Sequence, residues 1–211
     1  IIVALDVSSI DQVKGLVREL RGSGVKWKVG KQLFIIAGPE IVEWIQGKGE
    51  HVFLDLKFHD ILETVRKASL AAADLGVTMF NIHVQREVTM RAAAEALKNL
   101  RHRPSVLGVT VLTDYEAEDV ASLMGWDSST MRIDVEALVL HRALLAQKCG
   151  LDGVVCSAKE VRAIRHSCGW DFLTVVPGVR SPGKDAQDQK RVETPERAII
   201  EGADYLVSGR Q

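Results

Sequence analysis

Asp55-Leu56-Lys57-Phe58-His59-Asp60 places two acids around a lysine, directly after the apolar run Val52-Phe53-Leu54. That run reads as a buried strand. Side chains two apart on a strand share a face, so Asp55 and Lys57 project together, and Asp60 joins them if the chain turns. Charges at the exit of a buried strand are costly unless paired. Pairing them in a dry cleft holds a lysine charged and aimed, ready for electrostatic or proton-donating work. A solvated strand end with a local ion pair would look the same in isolation, so the rest of the chain must decide.

The elements that would position these groups alternate. Ile1 to Leu5 reads as a strand ending at Asp6, and Ser8 or Ser9 caps a helix from Ile10 to about Arg21. A strand over Trp27–Gly30 and a helix near Pro39–Gln46 lead to the strand before Asp55. Further strands are expected at Val77–His83, Val106–Val111, Gly153–Cys156, Phe172–Val176 and Tyr205–Val207. Helices are expected between them at Thr64–Ala73, Val88–Leu97, Val135–Lys148, Ala158–Ser167 and Pro195–Glu201. A short helix falls within 116–129, and a polar, charge-rich loop runs from Arg180 to Arg191. Uniformly apolar strands alternating with helices signal a parallel sheet covered by helices. Eight strands at even spacing favour one closed (β/α)8 TIM barrel over residues 1–211 rather than an open α/β sheet. No G-x-G-x-x-G follows the first strand, which argues against a dinucleotide fold. The chain stops at Gln211, before the helix expected to cover the last strand, and begins at Ile1 inside the first, so trimming at both ends is expected.

Bulk composition excludes several classes of function. The formal net charge of −1 gives no reason to expect nucleic acid or an anionic membrane as partner. An anionic ligand must therefore be met by a local basic site. Cys149, Cys156 and Cys168 show neither C-x-x-C nor metal-ligand spacing, so buried free thiols in the cytoplasm are expected. No apolar run reaches transmembrane length.

On a barrel, the unusual residues collect at one end. Asp6, Lys28, Asp55, Lys57, His83 and Thr113 all fall at or near C-terminal strand ends, which form the active face of such barrels. After the last two strands come Pro177-Gly178-Val179-Arg180 and Ser208-Gly209-Arg210. Loops in those places commonly bind phosphate, through backbone N–H groups and a guanidinium that matches phosphate oxygens.

These residues carry a family likeness. Asp55-Leu56-Lys57-Phe58-His59-Asp60-Ile61, with Thr64 after it, resembles the signature of the orotidine 5′-phosphate decarboxylase family. The likeness extends to Ala4-Leu5-Asp6, Lys28-Val29-Gly30, Pro177-Gly178-Val179-Arg180, Asp188-Gln189-Lys190-Arg191, Gly202-Ala203-Asp204-Tyr205 and Gly209-Arg210, in the right order along essentially the whole chain.

The resemblance implies decarboxylation of orotidine 5′-monophosphate (OMP) to UMP without metal or organic cofactor. Lys57 would protonate C6 of the pyrimidine once carbon dioxide leaves. Lys28, Asp55 and Lys57 would form an alternating charge array, completed by Asp60 from the second subunit of a homodimer. Asp6 and Lys28 would contact the ribose, with Thr64 reaching it across the dimer interface. Thr113 would lie against the pyrimidine, and Gln189, Gly209 and Arg210 would hold the phosphate. Arg180 would belong to a loop that closes over it.

Three places depart from the family pattern: Leu62-Glu63 where Pro-Asn is usual, Gln85-Arg86 where small residues are common, and Lys31 in place of an apolar residue. None removes a catalytic group. One rival is a metal-dependent sugar-phosphate decarboxylase or aldolase of the same superfamily, which carries an acid where this chain has Lys28. Another is a barrel that binds phosphate ligands without catalysis; it predicts loss of Asp55, Lys57 or Asp60, and all three are present.

Overall fold

The computed structural model describes residues 1–127, 132–180 and 193–209. The chain begins with β1 (Ile2–Ala4), α1 (Ile10–Glu19) and β2 (Lys26–Gly30), followed by α2 (Lys31–Ala37) and α3 (Glu40–Gln46). Next come β3 (His51–Phe58), α4 (Leu62–Asp74), β4 (Met79–His83), α5 (Glu87–Leu97) and β5 (Ser105–Val109). Two helices, α6 (Ala117–Leu123) and α7 (Val135–Lys148), precede β6 (Gly153–Val155). The described chain then closes with α8 (Ala158–Cys168), β7 (Leu173–Val176), α9 (Pro195–Ile200) and β8 (Tyr205–Ser208).

The strands pair in sequence order, all parallel, and β8 returns to β1 with Val207 opposite Ile2. This is a (β/α)8 TIM barrel. Its strands are apolar on both faces because both faces are covered. One parity fills the barrel: Ile2, Ala4, Phe53, Met79, Leu107, Val175 and Val207 form an inner cluster. The other parity, including Leu54, Phe80, Val106 and Val154, packs outward against helix residues such as Val13, Val17, Val139 and Ile164.

Local signals explain most helix starts. Ser9 accepts from the Gln12 N–H at the head of α1, and Asp134 from the Ala137 N–H at the head of α7. Ser157 and Glu160 form a capping box for α8, and Thr194 caps α9 with Pro195 just inside it. The structure departs from the sequence expectation between β2 and β3, where two short helices stand instead of one. The added helix, α2, is capped by Gly30 with no side-chain bond and leaves Ile35 83% and Ile36 51% exposed. It therefore shows neither a cap residue nor a one-sided apolar stripe. Among the described residues no helix is long and apolar enough to cross a membrane.

Candidate active site

The inward-facing rows of the barrel turn polar as they reach its C-terminal mouth. Ile2 and Ala4 lead to Asp6, Lys26 to Lys28, Phe53 to Asp55 and Lys57, and Val207 to Gly209. These polar groups border a cavity of about 270 Å³. Asp6, Lys28, Asp55, Lys57, Thr113, Arg180 and Gly209, all expected from the sequence as site residues, line it together.

Four of them form a continuous ionic chain. Lys28 Nζ lies 3.0 Å from Asp6 Oδ1 and 3.3 Å from Asp55 Oδ2, and Lys57 Nζ lies 2.6 Å from Asp55 Oδ1. Asp55 is the buried centre, and it stands between two ammonium groups. Burial alone would push its carboxyl pKa up, but Lys57 and then Lys28, with hydrogen bonds from Lys57 and Asn81, outweigh it and leave the pKa lowered. Asp55 is thus held as a carboxylate, and both lysines are fixed by its charge. Gly30 makes room for this arrangement: a Cβ there would stand 3.2 Å from Lys28 Nζ and 3.5 Å from Asp6 Oδ1.

The strand carrying Asp55 and Lys57 is irregular. Leu54 pairs with Phe80 and Phe58 with Ile82, so four steps along β3 match two along β4. Asp55, Leu56 and Lys57 therefore face a single β4 residue, Asn81. Lys57 adopts φ +53°, the only positive φ at a non-glycine among the described residues. Such a conformation is costly for a long side chain and persists only where the surroundings enforce it. Here Asn81, fully buried, accepts from the Lys57 N–H at 2.8 Å and donates from Nδ2 to Asp55 Oδ1 at 2.7 Å. Sequence reasoning missed Asn81. Its one available signal was a lone amide inside the apolar strand Met79-Phe80-Asn81-Ile82.

At the other side of the mouth, Pro177 and Gly178 line the cavity beside Arg180, with Gly178 at φ +75°. Arg180 is only 8% exposed; its guanidinium donates to the Val179 carbonyl, and its buried Nε has no hydrogen-bond partner among the described residues. A buried guanidinium with an unused donor at a cavity wall suits an anion. Beneath this wall, Arg165 of α8 donates to the Phe172 carbonyl and to Thr174 Oγ1 and pairs with Asp204, tying the starts of β7 and β8 together.

Asp60 and Thr64 do not line the cavity. Both are exposed, and Asp60 accepts from the Ile61 N–H at 2.6 Å instead of turning back toward Lys57. Within one chain, Asp60 is therefore not part of the ionic chain that the hexapeptide suggested. His83 also stays outside the cavity wall, its ring 5.5 Å from that of His59. Gln189 and Arg210 lie outside the described residues.

An ammonium held by a buried carboxylate at a barrel mouth, with a guanidinium on the same cavity wall, can bind an anionic ligand and offset negative charge that develops beside the lysine. Comparison with known proteins gives this geometry a lineage. A sequence model described as "Orotidine 5′-phosphate decarboxylase / HUMPS family" matches residues 1–211. The chain belongs to that family. Relatives named orotidine 5′-phosphate decarboxylase include one from Nitrosococcus oceani, 47% identical over all of this chain and 88% of its own length. Another, from Legionella pneumophila, is 45% identical over all of this chain and 90% of its own. Among solved structures, the orotidine 5′-phosphate decarboxylase from Lactobacillus acidophilus superposes with a TM-score of 0.83 at 32% identity, covering all of this chain and 89% of that one. An uncharacterized conserved protein from Geobacillus kaustophilus gives the same TM-score at 36% identity, covering 99% of this chain and 90% of that one.

Proposed function

We propose that the chain decarboxylates OMP to UMP and carbon dioxide, as a step of pyrimidine nucleotide synthesis. The observation that carries this reading is the chain Asp6–Lys28–Asp55–Lys57 at the mouth of the barrel. The C6–carboxylate bond breaks, carbon dioxide leaves, and the electron pair stays on C6. No adjacent carbonyl delocalises that pair, so stabilisation must be electrostatic. The Lys57 ammonium, 2.6 Å from Asp55, supplies positive charge at that point and then gives C6 its proton, leaving as the neutral amine.

Asp6 and Lys28 take the ribose hydroxyls, and Thr113 sits against the base. Arg180 and Gly209, with Gln189 and Arg210, hold the phosphate. Binding energy from that remote group goes to closing the site and excluding water. The active unit is a homodimer in which Asp60 and Thr64 serve the neighbouring subunit's site. Support comes from their exposure outside their own cavity and from the exposed apolar Ile61 (66%) and Leu62 (36%) between them. No metal enters the scheme: the Lys28 ammonium already fills the space between the two carboxylates a divalent ion would use. A cytoplasmic location suits three cysteines that are buried and held in no disulfide.

The test is incubation with OMP in the presence of EDTA, with products identified by chromatography. Stoichiometric UMP supports the proposal. No UMP, but turnover of a sugar phosphate once Mg²⁺ is restored, would replace it with the metal-dependent reading.

A further inference from the structure

We propose that Asn81 is a positioning residue for the decarboxylation, holding the Lys57 backbone and the Asp55 carboxylate in one fixed relationship; this rests on the function proposed above. The register shift leaves Asn81 as the sole β4 residue facing Asp55-Leu56-Lys57. Regular ladder pairing therefore cannot serve the Lys57 N–H, and the Asn81 side chain takes that bond at 2.8 Å. A buried N–H without such a partner would be costly, and the left-handed backbone at Lys57 would lose its restraint.

The same amide closes a ring. Lys57 Nζ returns to Asp55 Oδ1 at 2.6 Å, and Asn81 Nδ2 meets that oxygen at 2.7 Å. The lysine is thus anchored at both ends, by its backbone N–H and by its ammonium, to a pair that Asn81 joins. Orientation of the amide is forced, because the Lys57 N–H needs an acceptor and the Asp55 carboxylate needs donors. Asn81 itself is fully buried and absent from the cavity wall. Its contribution is placement, and a misplacement of about 1 Å at a reacting group can cost about 10²-fold in rate.

Two substitutions separate the two bonds. Asn81→Ala removes both; Asn81→Asp keeps an acceptor for the Lys57 N–H but replaces the donor to Asp55 with a second carboxylate. The expected result for Asn81→Ala is a fall of about 10²-fold in kcat per folded site with KM within about threefold. Asn81→Asp is expected to lose at least as much, with the acid limb of its kcat/KM profile moved to higher pH, because neighbouring carboxylates share a proton. A merely structural residue would lower the folded fraction and leave kcat per folded site and the acid limb unmoved, and that result would overturn the proposal.

Crystal structures of the two variants give a reading independent of turnover. Asn81→Ala should lose the positive φ at Lys57 or shift the Asp55 carboxylate; both unchanged would also overturn the proposal. Should Asn81→Ala fail to fold, Asn81→Asp, which is close in shape, carries the kinetic and structural arms. A wild type that does not turn over OMP would sink the proposed reaction, while the structural arm would still decide the role of Asn81.

Discussion

Lys57 Nζ stands 2.6 Å from Asp55 Oδ1 although the two residues are joined by a backbone that leaves the β region at Lys57 itself, with φ +53°. In a regular strand the two side chains would project in parallel; the left-handed turn re-aims the ammonium at the carboxylate that precedes it. The pair is half of a four-member ionic chain, so a change at any member should propagate along it.

Asp55 links the site to stability. Burial raises its pKa, but Lys57 and Lys28, with the hydrogen bonds from Lys57 and Asn81, outweigh that and bring the net value below the ordinary carboxylate range. Its folded pKa being depressed, Asp55 contributes stability that is present above the unfolded value of about 4 and is lost as pH falls through the lowered folded value. Chemical denaturation across pH should therefore show wild-type stability declining into acid more steeply than that of Asp55→Asn. Equal slopes would contradict the account.

His83 should titrate low. Burial first, then the neighbouring charges of His59, Lys57, Lys31 and Arg142, bring its pKa down to about 4. It is expected to be neutral at pH 6, with an NMR titration midpoint near 4. The unfolded chain binds that proton near pH 6.5, so stability from this group is lost as pH falls from about 6.5 toward 4. A midpoint above 6 would show that the basic cluster around it has been misread.

Gly30→Ala should separate activity from stability. Gly30 has φ −90° and ψ 178°, which any residue adopts, so the backbone accepts alanine. Its Cβ, however, would press on the Lys28 ammonium at 3.2 Å. The expectation is a Tm unchanged or raised, since alanine narrows the unfolded ensemble by about 0.4–1 kcal/mol, together with roughly tenfold lower kcat/KM. Full activity would mean that the position of Lys28 does not matter at that scale.

A shared site has a distinctive signature in mixtures. Lys57→Ala and Asp60→Asn homodimers should each be inactive. After subunit exchange, half the dimers are mixed, and each mixed dimer has one intact site, so about a quarter of wild-type activity should return. No recovery, or an active monomer by sedimentation, would rule out a partner-supplied Asp60.

Much of this molecule was legible in its sequence for a physical reason. Stretches such as Val106–Val109 of β5 and Val52–Leu54 of β3 are buried on both faces and so read as plain apolar runs, and charges at strand exits stand out. Asp6, Lys28, Asp55, Lys57 and Arg180 were found that way. Asn81 was not, because an uncharged amide inside a strand gains meaning only from the register of β3 against β4, a relationship between segments 26 residues apart. The left-handed Lys57 is hidden for the same reason: a lysine carries no local preference for that conformation. α2 escaped because Gly30 is a weak start signal and its apolar Phe34-Ile35-Ile36 lacks a polar face. Asp60 shows the converse, since nearness in sequence suggested a contact that the chain does not make with itself.

The central claim is that Lys57, held by Asp55, drives a metal-free decarboxylation. The direct measurement is OMP turnover, followed by loss of its ultraviolet absorbance with EDTA present, for wild type and Lys57→Ala at equal folded concentration. Robust wild-type turnover and a loss of at least about 10⁴-fold in the variant are expected, combining the proton donor with its electrostatic contribution. A Lys57→Ala protein within tenfold of wild type would contradict the account.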